Sequence, residues 1–150
     1  MNEKTNISVI LPIHELNEET KALFSNAILS VKEQTVRPDE LIIVTPKGSE
    51  AYTYVKAFDY GDNAESVTVA ENDGETDFAS QVNYGVSVAK SEWFSILEFD
   101  DEYASIWFKN VVTYREAHTN VDIFLPIIDV RGRDSQCEVV KLPFVTSHVR

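Results

Sequence analysis

The sequence predicts an α/β fold with a mainly parallel central sheet and helices on both of its faces. Strand-like and helix-like segments alternate along nearly the whole chain and are joined by short connections. The strand segments, such as residues 7–13 and 41–44, are almost entirely apolar instead of alternating between apolar and polar residues. Strands of this kind are typical of a parallel sheet that is covered on both faces.

The first strand is predicted at residues 7–13, with Pro12 near its end, where a missing N–H is tolerated. Asn17 is a suitable cap for the helix that follows, whose first turn carries two glutamates beside the positive end of the helix dipole. The helix should end before Pro38. Its apolar residues at helical spacing are Leu23, Ala27, Ile28 and Val31.

The second and third strands are predicted at residues 41–44 and 67–70. Ser49 caps a shorter helix between them, which ends at Gly61, and Thr76 or Asp77 caps the third helix. The inward face of that third helix is predicted to hold Phe78, Val82, Val86 and Ala89.

The fourth strand is predicted at residues 93–99 and leads directly into a group of acids. A further amphipathic helix and a strand or bent pair of strands at 121–130 follow, and then a strand at 138–141. The apolar residues that mark this last helix are Ile106, Trp107, Val111 and Tyr114.

A chain of 150 residues fits one domain, so the whole of residues 1–150 is expected to form a single unit. Its 13 basic and 25 acidic residues give a formal charge of −12, which argues against nucleic acid and anionic membranes as partners, since both need clustered Lys and Arg. The single cysteine, Cys137, suits a reducing compartment, and no apolar run is long enough for a membrane span or signal peptide. We therefore expect a cytoplasmic protein.

Three carboxylates, Glu98, Asp100 and Asp101, fall within four positions at the end of the fourth strand. In a parallel sheet, the loops after the strands lie along one edge, so these acids should lie near His14-Glu15 and Lys47. Mg²⁺ and Mn²⁺ take carboxylate and phosphate oxygens as ligands, and such a site is one interpretation of the cluster. A solvated acidic loop is the other.

Four other kinds of phosphate-binding protein fit the sequence poorly. The chain has neither GxGxxG after its first strand nor GxxxxGK[ST], which are the glycine loops of dinucleotide-binding and P-loop proteins. The third strand runs into Ala70-Glu71-Asn72, whereas a phospho-receiver domain needs a phosphorylatable aspartate there. A nucleotidyltransferase would need a basic phosphate loop after the first strand, and His14-Glu15 does not provide one.

Four segments, in order, resemble motifs of one enzyme family. The first strand ISVILPI resembles S-V-I-I-P-T-Y-N, and residues 27–44 resemble A-L-x-S-V-L-x-Q-T followed by P-x-E-I-I-V-V. Residues 81–93 are similar to A-R-N-x-G-I…A-x-G-E-Y, and LEFDD at 97–101 stands where the family has L-D-S-D-D. These are the motifs of the family 2 glycosyltransferases.

The resemblance implies a GT-A-like, Rossmann-like fold that binds a nucleotide-diphosphate sugar and transfers the sugar, with inversion, to an acceptor. Glu98 and Asp100 would stand for the acids of the D-x-D element, which hold a divalent metal, Mg or Mn, on the diphosphate. Gly85 would frame the pocket together with Asn83. The residues that the resemblance assigns to the nucleotide sugar are Pro12, His14, Glu15, Lys47, Asn83 and Asp100.

The chain also departs from the family pattern. Pro46 and Lys47 replace the two acids of V-D-D-G-S, and Val82 replaces the usual arginine. No motif marks an acceptor-binding half or a catalytic base, so the chain is either a fragment of a longer transferase or a compact derivative. The alternative function is therefore an inactive module with a structural, scaffolding or carbohydrate-binding role among protein partners. The carboxylates after the acid cluster that have the chemistry of a base are Glu116, Asp122, Asp129, Asp134 and Glu138.

Overall fold

A computed structural model describes residues 4–126, 128–131 and 137–140. The chain folds as two compact units, residues 1–116 and residues 117–150. The first unit contains strands β1 to β4 and four α-helices. They are β1 Ile7–Pro12, α1 Glu18–Lys32, β2 Glu40–Pro46, α2 Glu50–Ala57, β3 Val67–Asn72, α3 Phe78–Val88, β4 Trp93–Ile96 and α4 Trp107–Ala117, whose last residue belongs to the second unit.

The first unit is built on a four-stranded sheet in the order β3-β2-β1-β4, and all three strand pairs are parallel. This confirms the predicted α/β class with a parallel sheet. The second unit contains an antiparallel pair, β5 Ile128–Arg131 and β6 Cys137–Val140. β6 agrees with the strand predicted at 138–141, although Lys141 lies outside the described residues. The strand or bent pair predicted at 121–130 is present only from Ile128, since residues 121–126 form no strand.

Both faces of the parallel sheet are covered. Ile10, Ile42 and Val44 lie on one face, where Tyr84 and Val86 of α3 pack against them. Because side chains alternate along a strand, the neighbouring residues of β1 and β2 face the other side of the sheet. The buried residues of α1 are Phe24, Ala27, Ile28, Ser30 and Val31.

The helix caps follow the sequence closely. The side chain of Asn17 accepts hydrogen bonds from two backbone amides in the first turn of α1, and Ser49 accepts one from Tyr52 N. Of the two candidates for α3, Asp77 is the cap. The helix that Ser49 caps was predicted to end at Gly61, but α2 ends at Ala57 and a separate 3₁₀ helix follows at Gly61–Ser66.

Several residues predicted to face the core are exposed instead. In α1, Ala27, Ile28 and Val31 are buried as predicted, but Leu23 is 40% exposed and its neighbour Phe24 takes the buried position in the first turns. Phe78 is 51% exposed, since the face that α3 buries is centred on Gln81, Val82 and Gly85. In the α4 region, Ile106 and Tyr114 are exposed while Phe108 and Val111 are buried.

Strand β4 is shorter than predicted, ending at Ile96 instead of residue 99. The amide of Leu97 still donates to the carbonyl of Ile10, and the chain then turns, with Asp101 N donating to Glu98 O. Three acids in four positions repel one another, which favours a solvated turn over a continued strand. Within the described part of the chain, no helix is both long and apolar enough to cross a bilayer.

Candidate functional site

The loops after the strands begin side by side at one edge of the sheet. Ile13 N donates to Val44 O at 2.8 Å, Leu97 N to Ile10 O at 2.9 Å, and Lys47 N to Asn72 O at 2.9 Å. The expected convergence of the three loops is therefore present. Since β2 and β4 lie on opposite sides of β1, the order of the strands reverses there, and open parallel sheets bind ligands in the crevice at such a point.

The acid turn, residues 98–101, lies on the β4 side of this crevice. Glu98, Asp100 and Asp101 are exposed, and no lysine or arginine among the described residues forms an ion pair with them. Partial burial and repulsion from Asp101 and Asp100 raise the pKa of Glu98. Partial burial and repulsion from Asp100 likewise raise the pKa of Asp101. The turn therefore holds negative charge that no described cation offsets.

The chemistry of this turn fits a hard divalent cation. Mg²⁺ is bound in proteins through one or two carboxylates, with phosphate oxygens and water completing its shell. The described residues include no group of three or more His, Cys, Asp or Glu side chains arranged to hold a metal by themselves. A cation at this turn would consequently take a large share of its ligands from a bound phosphate and water.

Tyr103 fastens the acid turn to the sheet, and the sequence analysis did not single it out. Its hydroxyl lies 2.7 Å from Ser95 Oγ and donates to the carbonyl of Ile96 at 3.1 Å. Its ring stacks on Trp107 with centroids 6.4 Å apart. Burial of the phenol raises its pKa, so it stays neutral and can donate. The aromatic residues at 103, 107 and 108 were the available signal, because Tyr103 contacts both Trp107 and Phe108 within a short stretch of sequence.

The loop after β1 carries three predicted site residues. Pro12 is buried at the end of the strand, whereas His14 and Glu15 are exposed. His14 Nδ1 donates to the carbonyl of Thr76 at 3.1 Å, which links this loop to the segment before α3. The imidazole Nε2 and the Glu15 carboxylate remain at the surface of the crevice edge.

Lys47 does not stand alone in the loop after β2. Its Nζ lies 3.6 Å from Asp73 Oδ2, and both side chains are largely exposed. Gly48 follows with φ of +67°, and its amide donates to Glu71 Oε1 at 3.0 Å. The lysine that replaces an acid of the family pattern is therefore paired with an acid of the loop after β3.

Asn83 and Gly85 lie on different sides of α3. Asn83 is exposed, while Gly85 is buried against the sheet. A Cβ added at Gly85 would come within 2.5 Å of Ile10 Cγ2 and 3.0 Å of Val44 Cγ2. Gly85 therefore allows the helix to approach the strands closely, and its contacts are with the core.

Two buried amides, Asn72 and Gln81, lie at this edge and were also missed by the sequence analysis.

Five carboxylates after the acid turn were the candidates for a catalytic base. Glu116 and Asp122 are exposed, Asp129 and Glu138 lie on β5 and β6, and Asp134 lies outside the described residues. None is identified as a catalytic base.

Several solved structures share the fold of this chain. A structure of S. aureus TarS 1–349 matches with a TM-score of 0.60 and 16% identity over 75% of this chain and 33% of that chain. TarS has also been solved with UDP and with UDP-GlcNAc. The mannosyltransferase PcManGT from Pyrobaculum calidifontis, in complex with GDP-Man and Mn²⁺, matches with a TM-score of 0.59 and 18% identity over 73% and 32% of the two chains. The chain thus spans about one third of the length of these structures.

No curated protein is significantly similar to this chain in sequence. The family model described as glycosyl transferase family 2, however, matches residues 8–143, which is nearly the whole chain. The parallel sheet, the acid turn at the reversal of strand order and the shared GT-A fold agree with that match. The chain therefore belongs to glycosyltransferase family 2.

Proposed function

We propose that this chain binds a nucleotide-diphosphate sugar at the carboxyl edge of its sheet and acts in the transfer of the sugar to an acceptor hydroxyl with inversion. The observation that carries the proposal is the position of the acid turn, beside the end of β1, where the order of the strands reverses. A diphosphate group needs positive charge in such an acidic chain, and a divalent cation on these acids would supply it.

The proposed contacts follow the crevice. Glu98 and Asp100 would hold the cation, which supplies charge neutralisation for the departing diphosphate. On the β1 side of the crevice, Pro12 would form the bottom of the binding site, and His14 and Glu15 would present polar groups to the base and ribose. Asn83 is proposed to contact the nucleotide sugar from α3.

Lys47 has a second proposed role at the phosphates. An exposed ion pair such as that with Asp73 contributes about 0–1 kcal/mol, so a phosphate oxygen can compete for the ammonium group. We propose that Lys47 moves between these two partners, in place of the acids that the family pattern has in this loop.

Thermal unfolding with defined ligands tests the proposal. The wild-type chain should gain several degrees in Tm with millimolar UDP or GDP plus Mn²⁺, because a ligand that binds the native state alone stabilises it. Asp100→Ala should lose that gain. Asp62→Ala removes the same charge from the exposed 3₁₀ helix and should keep it. If neither nucleotide raises the Tm of the wild-type chain, the proposal is wrong.

The second candidate is a module that binds without catalysis and serves a protein assembly or carbohydrate recognition. The Lys47–Asp73 pair favours it, since the loop that carries acids in the family here carries a lysine already satisfied by a neighbour. The two candidates differ in turnover. If UDP or GDP is released from a nucleotide sugar and Asp100→Ala abolishes that release, the chain is a transferase. If the nucleotide sugar binds but release does not exceed background, the chain is a binding module.

We also propose that residues 1–150 work as one functional GT-A-like domain in the cytoplasm. The family match across residues 8–143 supports the first point, and the single cysteine fits a reducing compartment.

A further inference from the structure

Gln81 is a polar side chain in a place where an apolar one would be expected. It lies one turn into α3 and is 1% exposed, among the largest fully buried side chains. Its Nε2 donates to the carbonyl of Ile13 at 3.2 Å, and its Oε1 accepts from Asn72 Nδ2 at 3.0 Å. Both ends of the amide are used, so the side chain joins the last residue before the His14 loop to the end of β3.

Asn72 extends the connection into the loop after β3. Its Nδ2 donates a second hydrogen bond to the carbonyl of Glu75 at 2.8 Å, and its Oδ1 accepts from Gly74 N at 3.0 Å. Its backbone carbonyl accepts from Lys47 N at 2.9 Å. Every polar group of this side chain is thus engaged, and all the bonds converge on loops of the carboxyl edge.

We infer that Gln81 and Asn72 are positioning residues, which set the spacing between the loop after β1 and the loop after β3 and so shape the nucleotide side of the crevice. The inference rests on the proposed function for its ligand. The hydrogen bond of His14 with the Thr76 carbonyl also links these two loops, but it is exposed to water. The Lys47–Asp73 pair, which joins the loop after β2 to the loop after β3, is likewise exposed, and exposed ion pairs contribute little. The buried amides are the part of the connection that water does not reach.

The chemistry at position 81 is demanding, because one group must donate to a carbonyl and accept from an amide at the same time. A glutamate of the same length can do both only when it is protonated. As a carboxylate, it would set a negative oxygen against the Ile13 carbonyl and lose the donor. Burial raises the pKa of such a carboxyl, so the neutral form persists to a higher pH than it does at an exposed position.

Gln81→Glu therefore provides a test that a general loss of stability would not reproduce. We expect its affinity for UDP or GDP with Mn²⁺ to be about tenfold below wild type near pH 8, which is a difference of ~1.4 kcal/mol. The ratio of the variant's affinity to the wild-type affinity should approach one near pH 5.5, because the protonated side chain restores both hydrogen bonds. The acid turn is present in both proteins, so the ratio of their affinities at each pH cancels the effect of its titration on nucleotide binding.

Glu40→Gln is the matched control. Glu40 is buried at the opposite edge of the same sheet, where its Oε1 accepts from Ser8 Oγ and from Lys90 N, both at 2.6 Å. This variant makes the reverse change, from a carboxylate to an amide, at a buried site that links β1, β2 and the segment after α3. It should leave nucleotide affinity at the wild-type value across the same pH range.

Hydrogen exchange tests the inference without any nucleotide. In Gln81→Met, which keeps the length of the side chain and loses both hydrogen bonds, amides at residues 13–16 and 72–77 should exchange faster than in wild type and in Glu40→Gln. A wild-type chain that binds no nucleotide overturns the proposed function, while the exchange result still decides the role of Gln81. Unchanged exchange in both loops, or Gln81→Glu affinity that equals wild type at every pH, overturns the inference.

Discussion

Thr45 carries a buried hydroxyl that lowers the free energy of unfolding. It lies on β2 and is fully buried, and its hydroxyl has no hydrogen-bond partner among the described residues. A buried hydroxyl without a partner costs about 1–3 kcal/mol relative to one that is satisfied. Its neighbours along the strand, Val44 and Ile43, are apolar, so an apolar group of the same shape should suit the site.

We predict that Thr45→Val raises the free energy of unfolding by about 1 kcal/mol, because the side chain keeps its shape and loses the unsatisfied hydroxyl. Urea unfolding followed by circular dichroism measures the change. Thr68→Val is the control, since Thr68 is exposed on β3 and the same substitution should shift stability by less than about 0.5 kcal/mol. A loss of stability in Thr45→Val would mean that a buried water satisfies the hydroxyl.

Helix α3 is the element on which both the core and the crevice depend. Its N-terminal half carries Gln81, which reaches the ends of β1 and β3, and its next turn places Gly85 against the side chains of Ile10 and Val44. A glycine inside a helix costs about 1 kcal/mol relative to alanine. The close approach of α3 to the sheet leaves no room for a Cβ at position 85, which explains why a glycine is found there despite its lower helix propensity.

We predict that Gly85→Ala destabilises the chain, although alanine is the better helix former. The added Cβ would lie 2.5 Å from Ile10 Cγ2, and overpacking of this kind costs about 1–3 kcal/mol, more than the helix propensity returns. Equilibrium unfolding measures the loss. Asn83→Ala changes an exposed position of the same helix and should be near neutral. A Gly85→Ala chain as stable as wild type would show that α3 can shift away from the sheet.

At the level of elements, local signals in the sequence were sufficient where the contacts are local. Asn17, Ser49 and Asp77 cap helices because each side chain bonds amides only two or three residues away. The link that Gln81 makes to Ile13 and Asn72 could not be recognised in this way, since it joins α3 to β3 and to the end of β1. The sequence likewise predicted that the loops share an edge, but the order of the strands depends on long-range pairing that no short window contains.

The whole molecule carries a charge that matters for its ligand. With a formal net charge of −12, the chain should repel a free nucleoside diphosphate at long range. Such repulsion acts over about 10 Å at 0.1 M salt and reaches further at lower ionic strength. A bound divalent cation would cancel much of the ligand's own charge.

We predict that metal-free UDP or GDP binds more tightly at about 150 mM than at about 10 mM salt, because screening weakens the repulsion. Saturating Mn²⁺ should flatten this dependence. Calorimetry across a salt series measures both, and an uncharged nucleoside serves as the control that salt should leave unchanged. Metal-free affinity that falls as salt rises would indicate that a nearby cation, such as Lys47, outweighs the overall field.

The place of β1 in the sheet has a consequence for how the protein is made. This strand is synthesised before the other three strands of its sheet and lies between two of them, with β2 on one side and β4 on the other. A ribosome must release nearly the whole first unit before Trp93–Ile96 can complete the pairing. Until then β1 is paired on one side only, and the nascent chain exposes its apolar residues. This exposure favours slow folding and binding by chaperones.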